Sequence, residues 1–176
     1  MSERDTHRIR VFTFKAGLLS RIAHDLRLQV QQFTIARTGD EVVAEIEAQS
    51  IIVDGVMNGT RFDANGLGPR DRTKIAETIR GEILNTRAHP KIVFQGSLSA
   101  GKGVGARIRV DGVLKLVGVR KPLSLVAVHE RDRVRGSVTL VPSEFGIRPY
   151  KALAGAIRLQ DRVRVDFDLD AAALDL

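Results

Sequence analysis

The chain has 176 residues, 43% of them apolar and none of them cysteine. That length suits a single domain with a real core, and without thiols neither a disulfide framework nor a thiolate metal site can form. The formal net charge is +7, and only seven of the 28 basic residues are Lys. Acidic residues are interspersed, though, and no basic block of five or six residues marks a polyanion partner.

The first residues, "MSERDTHRIR", are charged and lack the apolar stretch of a secretory signal. No apolar run approaches the length of a bilayer span, so a bacterial-type cytoplasmic protein without integral membrane association is expected.

"HRIRVFTFKAG" (His7–Gly17) reads as a first strand, with Ile9 and Val11 on one face and Phe12 and Phe14 on the other. The change of parity signals a bulge or burial of both faces. In "GLLSRIAHDL", Leu18, Leu19, Ile22 and Leu26 recur at helical spacing and predict a short helix. Period two then returns. Leu28 and Val30 precede Phe33 and Ile35 with a skip at Gln31–Gln32, a turn follows at Thr38–Asp40, and Val42, Ala44, Ile46 and Ala48 share a face.

"VDGVMNGTRFDANGLGP" (Val53–Pro69) is rich in Gly, Asn and Asp and reads as a loop. In "RDRTKIAETIRGEILNTRAHP", Ile75, Ile79 and Ile83 form a one-sided stripe, which predicts an amphipathic helix over Arg70–Arg87. Pro69 and Asp71 suit its start, and His89-Pro90 rules out a continuation.

Everything after Lys91 alternates. Ile92, Phe94, Gly96 and Leu98 share a face, and a Gly-rich turn follows at Ala100–Gly105. "VDGVLKLVGVRKPLSLVAVHE" (Val110–Glu130) reads as two strands joined at Gly118–Pro122. Leu114, Leu116, Leu123 and Leu125 occupy one face, and Val113, Val117, Val126 and Val128 the other. A surface hairpin would be apolar on one side only. The second side is therefore expected to lie beneath the isoleucine helix. In "IRLQDRVRVDFDLDAA", Val163, Val165, Phe167 and Leu169 oppose Arg164, Asp166, Asp168 and Asp170. Consecutive strands joined by short turns predict an antiparallel meander that closes into a barrel of about eight strands, which removes its edges. Gly96, Gly112 and Gly155 would then mark sharp bends or close backbone approaches.

Several of these segments resemble the YceI-like family: Arg70–Asp71, "HPKIVFQGSL", "VDGVLKLVGVRKPLSLVAV" and the late "EFGI" at Glu144–Ile147. The hairpin is the most specific of them. The resemblance implies a lipocalin-like antiparallel β-barrel whose apolar tunnel holds a polyisoprenoid chain. One departure is "KAGLLSRIAHDLRLQV", where the family has a simple Ser-x-Val-x-Phe strand.

The expected function is non-enzymatic binding, sequestration or carriage of a long apolar molecule, isoprenoid- or fatty-acid-like, with no other cofactor. Its expected lining is Phe12, Phe14, Leu28, Ile46, Phe94, Leu114, Leu116, Leu125, Leu140 and Phe167. With few aromatics and no Trp, such a lumen suits a flexible aliphatic guest. A homodimer is compatible with this reading. Two alternatives stay open: a basic protein binding nucleic acid or an anionic surface, and a structural module with a filled barrel. The first lacks the aromatics that normally interleave with basic residues for base stacking.

Ser20, His24 and Asp25 invite a nucleophilic triad. However, adjacent His and Asp cannot easily converge, and no G-x-S-x-G elbow surrounds the serine. The four histidines lack ligand spacing, and Gly101-x-Gly103-x-Gly105 lacks the Lys-Ser/Thr ending of a phosphate loop.

Overall fold

The computed structural model describes residues 7–17, 24–100 and 105–176. Its strands are β1 (Arg8–Lys15), β2 (Asp25–Val30), β3 (Phe33–Thr38), β4 (Glu41–Glu47), β5 (Ile51–Asn58), β6 (Arg61–Asp63), β7 (Lys91–Ala100), β8 (Arg107–Leu116), β9 (Val119–Glu130), β10 (Arg133–Leu140), β11 (Lys151–Ala152) and β12 (Ile157–Asp170). The one α-helix among the described residues, α1 (Pro69–Thr78), continues into a π turn over Ile79–Ile83.

All ladders are antiparallel, in the order β3-β4-β7-β8-β9-β10-β12-β1-β2-β5-β6, with β11 beside β12. The two ends of this order are the same piece of chain. β2 and β3 are separated only by Gln31–Gln32, and β4 and β5 only by the short turn Ala48–Ser50. Across this kink the Gln31 N–H donates to the Ser50 carbonyl (3.3 Å) and the Glu47 N–H to that of Gln32 (3.0 Å). One bent hairpin thus pairs with β7 through its outer half and with β1 through its inner half. Counted this way, the wall is eight long ribbons curled into a barrel, and the skip at Gln31–Gln32 is the bend.

Alternation fixes the inner face, and the register confirms it across neighbours: Ile46 pairs with Ile92, Phe94 with Leu114 and Val134 with Leu169. Gly96 and Gly112 face each other across β7 and β8, where a Cβ on Gly112 would sit 2.3 Å from the Gln95 carbonyl oxygen. The bare backbone there lets the two strands bend together. Gly155, by contrast, lies in a turn with φ +89°, so it is no strand bend.

Four other expectations need correction. Residues 53–58 and 61–63 are strands joined by an Asn58-Gly59-Thr60-Arg61 hairpin, whose Gly- and Asn-rich composition reads as loop until the two-residue turn led by Gly59 is weighed. The 110–130 hairpin turns at Val117–Gly118, both with positive φ, and Pro122 lies inside β9. Counting from that two-residue turn, Val113–Pro122 is a non-hydrogen-bonded pair, so the proline nitrogen points away from β8 and no ladder bond is lost. Of the short helix expected over 17–26, residues 18–23 lie outside the described residues, while Asp25 and Leu26 belong to β2. The Gly-rich turn falls largely on 101–104, also outside them.

The fourth correction concerns the helix. The α-helical turns end at Thr78, because the Leu84 N–H donates to the Ile79 carbonyl in a π turn and Asn85 takes a positive φ. α1 packs along β5, not over the 110–130 hairpin. Arg72 donates to the carbonyls of Asp54, Leu67 and Ala64, and Arg80 donates twice to that of Ile51 (3.0 and 2.9 Å). The isoleucine stripe faces the barrel interior, and the second face of the hairpin stays half-exposed, with Val126 at 47%.

Candidate functional site

The barrel encloses a cavity of about 490 Å³, inside the range of pockets that bury small organic ligands. Every long ribbon contributes apolar side chains to it: Ile9 and Val11 from β1, Leu26 and Leu28 from β2, Val42 and Ile46 from β4, and Phe94 and Leu98 from β7. Leu114 and Leu116 on β8, Leu123 and Leu125 on β9, and Val163, Val165, Phe167 and Leu169 on β12 line it as well. Ile75, Ile79 and Ile83 cover one end, so the helix is part of the lining.

The opposite end is shut by the turn Ala172–Leu174, which packs against β3 and β12 and brings the buried Leu174 into the lining. Arg37 holds that plug by donating from Nη1 to the Leu174 carbonyl (2.8 Å) and to that of Asp175 (3.1 Å). A second closure lies between β9 and β10. Those strands pair only over residues 127–130 and 133–136 and then diverge. The turn Pro142–Phe145 packs there against β9 and β12. Phe145 and Ile147 of the "EFGI" segment are buried at 4% and 9%, and Gly146 turns the chain between them with φ +77°.

Polar groups enter the lining where β1 ends and β2 and β12 begin. Thr13, His24, Tyr150 and Gln160 lie at this end, with Arg148 nearby and Lys74 and Thr78 coming from α1. The Leu159 N–H fixes the approach of this segment by donating to the Tyr150 carbonyl (3.1 Å). Thr13 Oγ1 is buried with no hydrogen-bond partner among the described residues. The result is a greasy hollow with one polar rim, suited chemically to a molecule whose bulk is hydrocarbon.

Of the expected lining, Leu28, Ile46, Phe94, Leu114, Leu116, Leu125, Leu140 and Phe167 face this cavity. Phe12 and Phe14 do not. They lie on the outer face beneath the guanidinium groups of Arg164 (4.2 Å) and Arg162 (4.5 Å). Cation–π cover explains why Phe12 is only 7% exposed on the outside of a barrel. The signal for this was in the sequence: Arg8 and Arg10 share parity with Phe12 and Phe14, which marks the even positions of β1 as outward. On β1 the lining residues are instead Ile9, Val11 and Thr13.

Ser20 lies outside the described residues; Asp25 accepts a hydrogen bond from the Lys15 N–H (2.7 Å), and His24 stands at the exposed rim. Among the described residues no cluster of three or more metal-ligating side chains occurs, and no helix is long and apolar enough to cross a membrane.

A family model described as a YceI-like domain matches residues 6–171. No curated protein sequence matches the chain. Among solved structures, BcnA of Burkholderia cenocepacia superposes with a TM-score of 0.61 at 10% identity, covering 92% of this chain and 94% of that one. A polyisoprenoid binding domain from Saccharophagus degradans gives 0.61 at 12% identity, covering 92% and 91%. The YCEI protein of Campylobacter jejuni gives 0.56 at 11% identity, covering 82% and 83%.

Proposed function

The chain belongs to the YceI-like family, and on that premise we propose that its barrel binds a long apolar molecule of isoprenoid or lipid type, and so sequesters or carries it. The observation that carries this reading is the 490 Å³ cavity, walled by aliphatic side chains from every long ribbon. A solved neighbour of the same fold is described as polyisoprenoid-binding, which points the same way. Burial supplies the affinity. Each methylene removed from water contributes about 0.8 kcal/mol, so one five-carbon unit contributes roughly 4 kcal/mol before the cost of ordering the tail.

Such a ligand needs no reactive group, and the protein acts by binding it, not by transforming it. The mixed polar rim would meet the head of the guest and leave the tail to the isoleucine, leucine and valine walls. The test is organic extraction of the purified protein followed by mass spectrometry, with titration of a fluorescent polyprenyl alcohol. Co-purified lipid or saturable uptake is expected. Absence of both overturns the proposal.

A further inference from the structure

On the outer wall, β10, β12 and β1 lie side by side and present alternate residues to solvent. Those residues form an open cleft of Arg8, Arg10, Arg135, Ser137, Arg164, Asp166 and Asp168. Four guanidinium groups there face two carboxylates, and both carboxylates are engaged. Asp168 takes Arg133 (2.7 Å), Arg8 and Arg135 (both 3.3 Å). Asp166 accepts from the Ser137 hydroxyl (2.8 Å) and stands 3.0 Å from Arg164 Nε.

Arg10 is what remains. It lies directly across from Asp166 in register, yet its Nε is buried with no acceptor among the described residues. Arg164 Nε, though close to Asp166, is also buried without an aligned hydrogen bond. Burial, and then the neighbouring charges of Arg27 and Arg8, lower the pKa of the Arg10 guanidinium, and the carboxylates of Asp54 and Asp168 only partly offset them. Positive charge is therefore gathered here with the buried Nε–H of Arg10 unfilled.

Guanidinium forks match phosphate oxygens in geometry as well as charge. We propose that this cleft on β1, β10 and β12 binds a phosphate-bearing anion, with Arg10 as its central donor and Arg8 and Arg164 beside it. The neighbouring rings of Phe12 and Phe14 lie beneath arginines, so base stacking adds nothing here and recognition rests on the phosphate group. The site is on the opposite side of the wall from the cavity and stands whether or not the barrel holds a lipid.

The test titrates inorganic pyrophosphate into the full chain at constant ionic strength, followed by calorimetry and thermal melting. Saturable binding and a raised Tm are expected. Arg10→Gln should weaken binding by about tenfold or more, the effect of losing a charge-assisted donor pair, while melting no lower than the parent without anion. Arg10→Lys, which keeps the charge but loses the fork, should fall between them. Sedimentation with phosphatidylglycerol vesicles that Arg10→Gln abolishes, in place of pyrophosphate binding, assigns the phosphate to a lipid headgroup. No binding to either probe, or binding that Arg10→Gln leaves intact, overturns the site.

Discussion

Gly112 shows what one missing side chain does for the wall. It faces Gly96 across the ladder, and a Cβ there would stand 2.3 Å from the Gln95 carbonyl oxygen and 2.6 Å from Gly96 Cα. Both obstacles are backbone, which cannot swing aside as a flexible side chain can. Gly112→Ala should therefore cost about 2 kcal/mol in urea unfolding, as overpacking does. Gly81, whose Cβ would meet nothing within 4 Å and whose φ is not left-handed, is the control. Gly81→Ala should be neutral or stabilise by up to roughly 1 kcal/mol by restricting the unfolded chain. Equal losses at the two sites would refute this account of the bend. Sequence alone suggested that Gly112 marks a close approach, because a strand-interior glycine has few other uses. It did not show that Gly96 is the partner, since that depends on the register between two strands.

Among elements, α1 was legible as an amphipathic helix from Ile75, Ile79 and Ile83, but its place was not. A stripe of isoleucines states that one side is buried and is silent about what it is buried against. The polar residues answer that question: Arg72 and Arg80 reach β5 carbonyls and tie the helix along that strand. Arg80 sits in the π turn and supplies both bonds to the Ile51 carbonyl. Arg80→Ala should lower Tm and speed hydrogen exchange at the Leu84 and Thr86 amides, which donate to the carbonyls of Ile79 and Arg80. Unchanged exchange at those two amides would mean that the isoleucine contacts alone hold this end of the cavity.

For the molecule as a whole, the question is whether the barrel is hollow or solid, and a single substitution separates the two. Leu116 is 8% exposed, lines the cavity and pairs with Val119 across the hairpin. In a filled core, Leu116→Phe would cost about 1–3 kcal/mol. In this barrel the added ring has a hollow to enter, so stability should change by less than about 1 kcal/mol while polyprenyl alcohol uptake falls. Denaturant unfolding and ligand titration on the same preparation check both halves. A large stability loss would show that the interior has no room to spare.

What the sequence determined by itself was the inside and outside of the strands that alternate cleanly. Alternation in Val163–Leu169 and in Leu114–Leu125 depends only on the two-residue period of an extended chain, and the structure keeps both faces. The tertiary structure alone decided which strands meet, where the helix lies and what shuts each end. The kink at Gln31–Gln32 lets one hairpin serve both edges of the sheet, the split between β9 and β10 makes room for Phe145 and Ile147, and Arg10 ends opposite a carboxylate already engaged elsewhere. Each of these depends on contacts between residues far apart in the chain. Local period carries no information about them, because it reports which face is apolar and not which neighbour covers it.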